Sequence, residues 1–248
     1  MSKAEVWEQW VDIHEFDNSV PLFETNSDLV VQTERFGTGS HERDVLKRSG
    51  EVEQLVIDEA EKVESDFHER GRRYEGVIYV MYWIDSNADV TPLYIGKSGK
   101  FESNGYKLNP NLKSVRDRKS RFARWGYGTA FHLGELSQIY FNSSWESYGS
   151  VTNTSKGRWI RTLFEPKSRR LNQEVYLWMK AWEVGGVGPY TPGTGASPFL
   201  EELELQLIAL TWELFPEILL NTDGLPYNPE AFAHLRGLSD QSDLSDFE

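Results

Sequence analysis

Two short stretches concentrate positive charge in a chain that is acidic overall. Residues 112–125 carry Lys113, Arg116, Arg118, Lys119, Arg121 and Arg124 against one acid, Asp117, and residues 156–170 carry Lys156, Arg158, Arg161, Lys167, Arg169 and Arg170 against Glu165. Twelve of the 26 basic side chains lie there, while acids crowd residues 51–69, 201–204 and the 239–248 tail. Segregated charge of this kind suits a polyanion even at a formal net charge of −13. On charge alone, solvated helix surfaces are an equal alternative. Other chemistry is excluded. The five histidines are dispersed with no HExxH pair, which argues against zinc, and the absence of cysteine removes thiol nucleophiles, disulfides and iron–sulfur clusters. No GxxxxGK[ST] run exists; Gly96-Lys97-Ser98 lacks the upstream glycine, and Gly185-Gly186-Val187-Gly188 lacks a strand-to-helix setting. Two tyrosines remain, one closing Val77-Ile78-Tyr79 and one opening Tyr94-Ile95-Gly96.

Those tyrosines fall on elements that the sequence predicts to be neighbours. Residues 76–84 are β-branched and aromatic, hence a buried strand; 85–92 have turn chemistry; 93–97 form a second strand and complete a hairpin. The glycine- and asparagine-rich 98–111 segment reads as a loop insertion, and 112–125 as a helix stopped by Gly126 and Gly128. Residues 131–141 and 174–184 read as third and fourth strands, and 185–195 as a loop. Ser197 is the expected N-cap, with Pro198 the first residue, of a helix running to about Phe215. Upstream, an irregular arm over residues 1–42 leads into a helix over 43–73, where Val52, Leu55, Val56, Glu59, Val63 and Phe67 recur near the 3.6-residue period. The expected architecture is α+β: a small, mainly antiparallel sheet flanked by helices, with an N-terminal arm and helix. The expected units are 1–73 packed on a core of 74–225, then an acidic, disordered tail at 226–248.

Composition sets the outer bounds. At 248 residues, with 39% hydrophobic, 26% charged and 13% aromatic residues, the chain can fill a core. Its longest apolar stretch, 77–84, falls far short of the ~20 residues that span a bilayer. The N-terminus is polar. A cytoplasmic protein with no membrane partner is therefore expected.

Val77-Ile78-Tyr79 followed by Tyr94-Ile95-Gly96-Lys97 resembles the GIY-YIG nuclease superfamily, in particular its restriction-endonuclease-like members. Val77 departs from the usual glycine. Arg121-Phe-Ala-Arg-Trp125 resembles the arginine helix, with Trp125 in place of a histidine or tyrosine; Glu204-Leu-Gln-Leu-Ile208 resembles the glutamate helix; and Pro216 with Asn221 resembles the closing asparagine. The resemblance covers about residues 74–225. It implies a DNA endonuclease in which Glu204 holds Mg²⁺ (or Mn²⁺), with Glu201 one turn earlier as an alternative, and Arg121 grips the scissile phosphate. Tyr79 serves as general base or relay, its phenol lowered from ~10 by Arg121, Lys97 and the cation; Tyr94 orients the water, and Asn221 braces the site. The two basic stretches would hold DNA, and double-strand cutting would suggest a homodimer. A non-cleaving DNA-binding module on the same scaffold is the alternative. One geometric demand follows. Positions 79 and 94 differ in parity, so an antiparallel register pairing residues of opposite parity puts both phenols on one face, and any other register parts them unless a bulge intervenes.

Overall fold

The computed structural model describes residues 1–16, 20–102, 105–117, 120, 122, 136–142 and 155–222. In chain order these form α1 (Lys3–Ile13), β1 (Val20–Pro21), β2 (Thr33–Phe36), β3 (Arg43–Leu46), α2 (Gly50–His68), β4 (Tyr74–Ile84) and β5 (Val90–Gly99). Then come α3 (Ser137–Asn142), α4 (Ser155–Leu163), β6 (Tyr176–Glu183), one turn of helix, α5 (Thr191–Thr194), and α6 (Leu200–Leu214). The fold is α+β, as expected, with a four-stranded antiparallel sheet in the order β1-β6-β4-β5 and a separate β2–β3 pair. No helix among the described residues is long and apolar enough to cross a membrane.

The central strand explains its own composition. β4 pairs with β5 on one side and β6 on the other, and both of its faces are covered. Val77, Tyr79 and Met81 join the core beneath α2; Ile78, Val80 and Tyr82 join the core shared with α1 and α6. A strand buried on both faces reads as a continuous apolar run rather than an alternation. Local signals start two of the helices. Ser2 and Glu5 form a capping box on α1, and the Ser49 hydroxyl accepts the Val52 amide at 3.0 Å at the start of α2. On the inner face of α2, the buried Glu59 carboxylate accepts the Ala181 amide of β6 at 2.7 Å.

Four expectations are corrected. The helix foreseen over 43–73 begins only at Gly50, because residues 43–46 pair with β2 and Ser49 supplies the cap. The described part of 112–125 is a series of turns. Ser114 takes φ +53°, which no α-helix continues, while its amide is held by the Glu64 carboxylate at 3.2 Å. Where a strand was foreseen over 131–141, residues 137–142 form α3, with Leu136 and Tyr140 buried one turn apart. Helix α6 starts after Phe199 rather than Ser197. Its Leu200 amide is capped by the Glu75 carboxylate of β4 at 2.6 Å, and the Ser197 hydroxyl donates instead to the Gly185 carbonyl.

Candidate active site

The site is set by the register of one hairpin. Tyr79 faces Gly96 and Met81 faces Tyr94, so residues of opposite parity pair throughout this stretch; the shift lies beyond, between Met81 and Tyr82. Both phenols therefore stand on the α2 face, diagonal to one another, with ring centroids 6.3 Å apart. Gly96 makes this possible. A Cβ there would lie 2.5 Å from the Tyr79 Cζ and Oη, so the phenol occupies the space that any side chain would fill and crosses over β5 toward its outer edge. Tyr79 is fully buried, with the Phe122 ring edge-on at 5.9 Å, and the half-buried Tyr94 packs against Trp159 of α4 at 5.0 Å.

Lys97 and Glu204 approach the same edge from the other face. Lys97 lies opposite Ile78, on the α6 side of the sheet. Its ammonium is 2.8 Å from the Glu201 carboxylate and 3.5 Å from that of Glu204. The two carboxylates are not equivalent. Glu201 is 76% exposed, whereas Glu204 is 21% exposed, accepts the Lys97 backbone amide and lies close enough to Tyr79 to bear on its ionisation. Asn221 completes the edge. Its Oδ1 accepts the Ile95 amide at 2.9 Å and its Nδ2 donates to the Ile95 carbonyl at 2.8 Å, while the Leu220 amide donates to Leu93 at 2.6 Å. Residues 220–221 thus satisfy the unpaired side of β5 as a further strand would. Tyr79, Tyr94, Lys97, Glu204 and Asn221 all lie against β5, the two phenols on its α2 face, Lys97 and Glu204 on its α6 face and Asn221 along its edge. Arg121 lies outside the described residues.

The electrostatics of the chain differ from the expectation in one respect. Burial, then Tyr94, then Glu204 all push the Tyr79 phenol well above its ordinary value. Lys97 does not offset this, because its charge is directed to Glu201 and Glu204. Burial lowers Lys97, yet those carboxylates outweigh it and hold the ammonium above its ordinary value. Glu204 is raised, burial exceeding the opposing effect of Lys97. A partly exposed carboxylate beside Glu201, already drawing one cation, is a hard oxygen donor of the kind Mg²⁺ accepts alongside waters. No cluster of three or more His, Cys, Asp or Glu suited to a metal occurs among the described residues.

Among the described residues, the basic stretches do not form one free cationic face. Arg116 is held by Glu61 through two bonds of 2.6 and 2.7 Å. Arg158 donates to the Glu217 carbonyl at 3.0 Å, Arg169 to the Val31 carbonyl at 2.9 Å, and Arg170 pairs with Glu165 at 3.5 Å. Lys113, Arg161 and Lys167 are exposed without an ion pair among the described residues. Arg118, Lys119, Arg124 and Trp125 lie outside those residues, as does the Lys156 side chain. Arg158 has a role that the pattern of charges concealed. It ties α4 to the turn delivering Asn221, and its partner is a backbone carbonyl that leaves no trace in sequence.

No family model matches this chain, and no curated protein or solved structure matches it either.

Proposed function

We propose that the chain is a metal-dependent endonuclease of the GIY-YIG type that hydrolyses DNA phosphodiester bonds in restriction or DNA processing, in the cytoplasm and as a homodimer where both strands are cut. The observation that carries this reading is the seating of the Tyr79 phenol over Gly96, beside Tyr94 and within electrostatic range of Glu204 at one strand edge. Glu204 is the residue to hold Mg²⁺ or Mn²⁺, and the cation, when bound, stabilises charge on the phosphoryl oxygens. The chain's own groups do the rest. Tyr79 and Tyr94 aim hydrogen bonds at the attacking water, Arg121 supplies a guanidinium fork to the phosphate, and Asn221 keeps β5 from shifting under them. Tyr79 holds its proton in the free chain, so its action as a base requires the cationic charge that comes with the bound substrate.

The test is nicking of supercoiled plasmid in Mg²⁺ and in EDTA. Glu204→Ala and Arg121→Ala, checked for folding by circular dichroism, should each lose on the order of 10²-fold or more in rate. Full cleavage by both variants refutes the assignment. Salt-dependent plasmid binding without nicking in Mg²⁺ or Mn²⁺ replaces it with the non-cleaving DNA-binding module, the reading that the raised Tyr79 phenol favours.

A further inference from the structure

Helix α6 presents two carboxylates to one ammonium. Glu201 and Glu204 stand one turn apart, and Lys97 of β5 reaches both, at 2.8 Å and 3.5 Å. The division of that charge runs against what stability alone would favour. An ion pair is strongest where water is excluded and weakest where solvent screens it. Glu204 is 21% exposed and Glu201 76%, yet the ammonium sits closer to Glu201. The more buried carboxylate is therefore the less completely neutralised. The two acids also differ in freedom. Glu204 is tied to β5 by the Lys97 backbone amide, whereas Glu201 projects into solvent from the first turn of α6. Lys97 carries a compact ammonium on a flexible four-carbon stem, so its charge can pass from one carboxylate to the other without a shift of β5 or α6. Glu202 supplies the contrast. It belongs to the same first turn, but its carboxylate accepts from Gln206 at 3.0 Å. The positive end of the helix dipole accounts for an acid at either position and leaves the Lys97–Glu201 contact to be explained.

We propose that Lys97 is an exchangeable counterion of Glu204, and that Glu201 is a positioning residue that draws the ammonium away and frees the Glu204 carboxylate for a divalent cation. The inference rests on the assignment of the metal to Glu204 above, and it adds how that carboxylate is kept paired in the free chain and what releases it. Lys97 offsets both acids while no divalent ion is bound. Once Glu204 turns its charge to the cation, Glu201 retains the ammonium, and no bare carboxylate is exposed at any stage. Glu201 therefore acts through Lys97 and is not itself a ligand.

The test measures Mn²⁺ binding to the full chain without DNA, reading free Mn²⁺ by electron paramagnetic resonance and counting only the binding that Glu204→Gln removes. Like charges about 4 Å apart repel even in water and a divalent ion doubles the effect, so Lys97→Met should tighten binding by about tenfold. Glu201→Gln should weaken it by about tenfold, because the ammonium then rests on Glu204 alone. Glu202→Gln removes the same charge from the same turn and should change affinity by less than about twofold in physiological salt. The decisive variant combines Lys97→Met with Glu201→Gln, and should bind within about twofold of Lys97→Met, since a residue acting only through another has no effect once that other is gone. Melting temperatures are measured alongside, and Lys97→Gln replaces Lys97→Met should the latter unfold. Lys97 variants that bind as the parent does overturn the exchange. So does Glu201→Gln weakening binding by one factor in both backgrounds, which makes Glu201 a ligand. Plasmid nicking by the parent separates the two readings: cleavage with Glu204-dependent binding that ignores Lys97 removes only the exchange, and the full pattern without cleavage removes only the nuclease. Absence of Glu204-dependent binding from every variant overturns both.

Discussion

Replacing Gly96 with alanine tests the geometry on which the site depends. The new methyl carbon would meet the Tyr79 Cζ and Oη at 2.5 Å and Cε2 at 2.7 Å. Carbon atoms pack at about 3.5–4.0 Å, so the ring must retreat by about 1 Å. Its retreat is opposed by the Tyr94 and Phe122 rings that pack on the fully buried Tyr79. Overpacking of this kind costs about 1–3 kcal/mol. For a chain of this size that lowers the melting temperature by roughly 2–12 °C. The retreat also draws the phenol off the β5 edge, and a misplacement of about 1 Å in a reacting group costs on the order of 10²-fold in rate. Calorimetry and plasmid nicking measure the two effects separately. Gly99→Ala is the control, since a Cβ there meets nothing nearer than the Phe101 carbonyl at 3.8 Å. Should Gly96→Ala melt and cut like the parent, the phenol does not cross the strand at this glycine and the reasoning fails.

Asn221→Asp keeps the acceptor for the Ile95 amide but turns a carboxylate toward the Ile95 carbonyl; urea unfolding should show a loss of about 1–3 kcal/mol, and an unchanged midpoint would contradict the bracing role. His14 is buried, its Nε2–H donates to the Val187 carbonyl at 2.8 Å, and burial lowers its pKa from 6.5 to about 4. The neutral ring therefore supports folding fully above pH 6.5, and about 3 kcal/mol of stability is lost as the pH falls from 6.5 to 4. His14→Gln, which retains an N–H donor, should flatten that part of the stability–pH curve, and a parallel curve would exclude the effect. Arg158→Ala should cost about 1.5–3 kcal/mol in thermal unfolding without DNA, because it frees the turn before Asn221; a wild-type melting curve would return Arg158 to a surface charge.

How much could be read in advance varied with the reach of the interaction concerned. Strands β4, β5 and β6 were legible from β-branched and aromatic runs, and Ser2 and Ser49 act on amides three residues away. Residues 43–46 and 137–142 depart from their local pattern for the opposite reason. The first segment becomes a strand only by meeting β2, and the second is a helix anchored through Ser137, whose hydroxyl accepts the Leu46 amide. The start of α6 depends on Glu75, 125 residues away, and a cap of such reach has no local signature.

The order of residue types along the chain determined that two tyrosines, a lysine, a glutamate and an asparagine were available, and that the tyrosines lay on adjoining strands of a hairpin. It could not say whether they met. Parity left two registers open, and the observed pairing of Tyr79 with Gly96 decided for a shared face. Tertiary structure alone carried Glu204 and Asn221 from the far end of the chain to the edge of β5, and alone bound several arginines of the basic stretches to internal carbonyls and carboxylates. The reason is physical: side-chain type and local propensity are properties of a segment, whereas register, edge satisfaction and desolvation arise only when distant segments compete for the same surface.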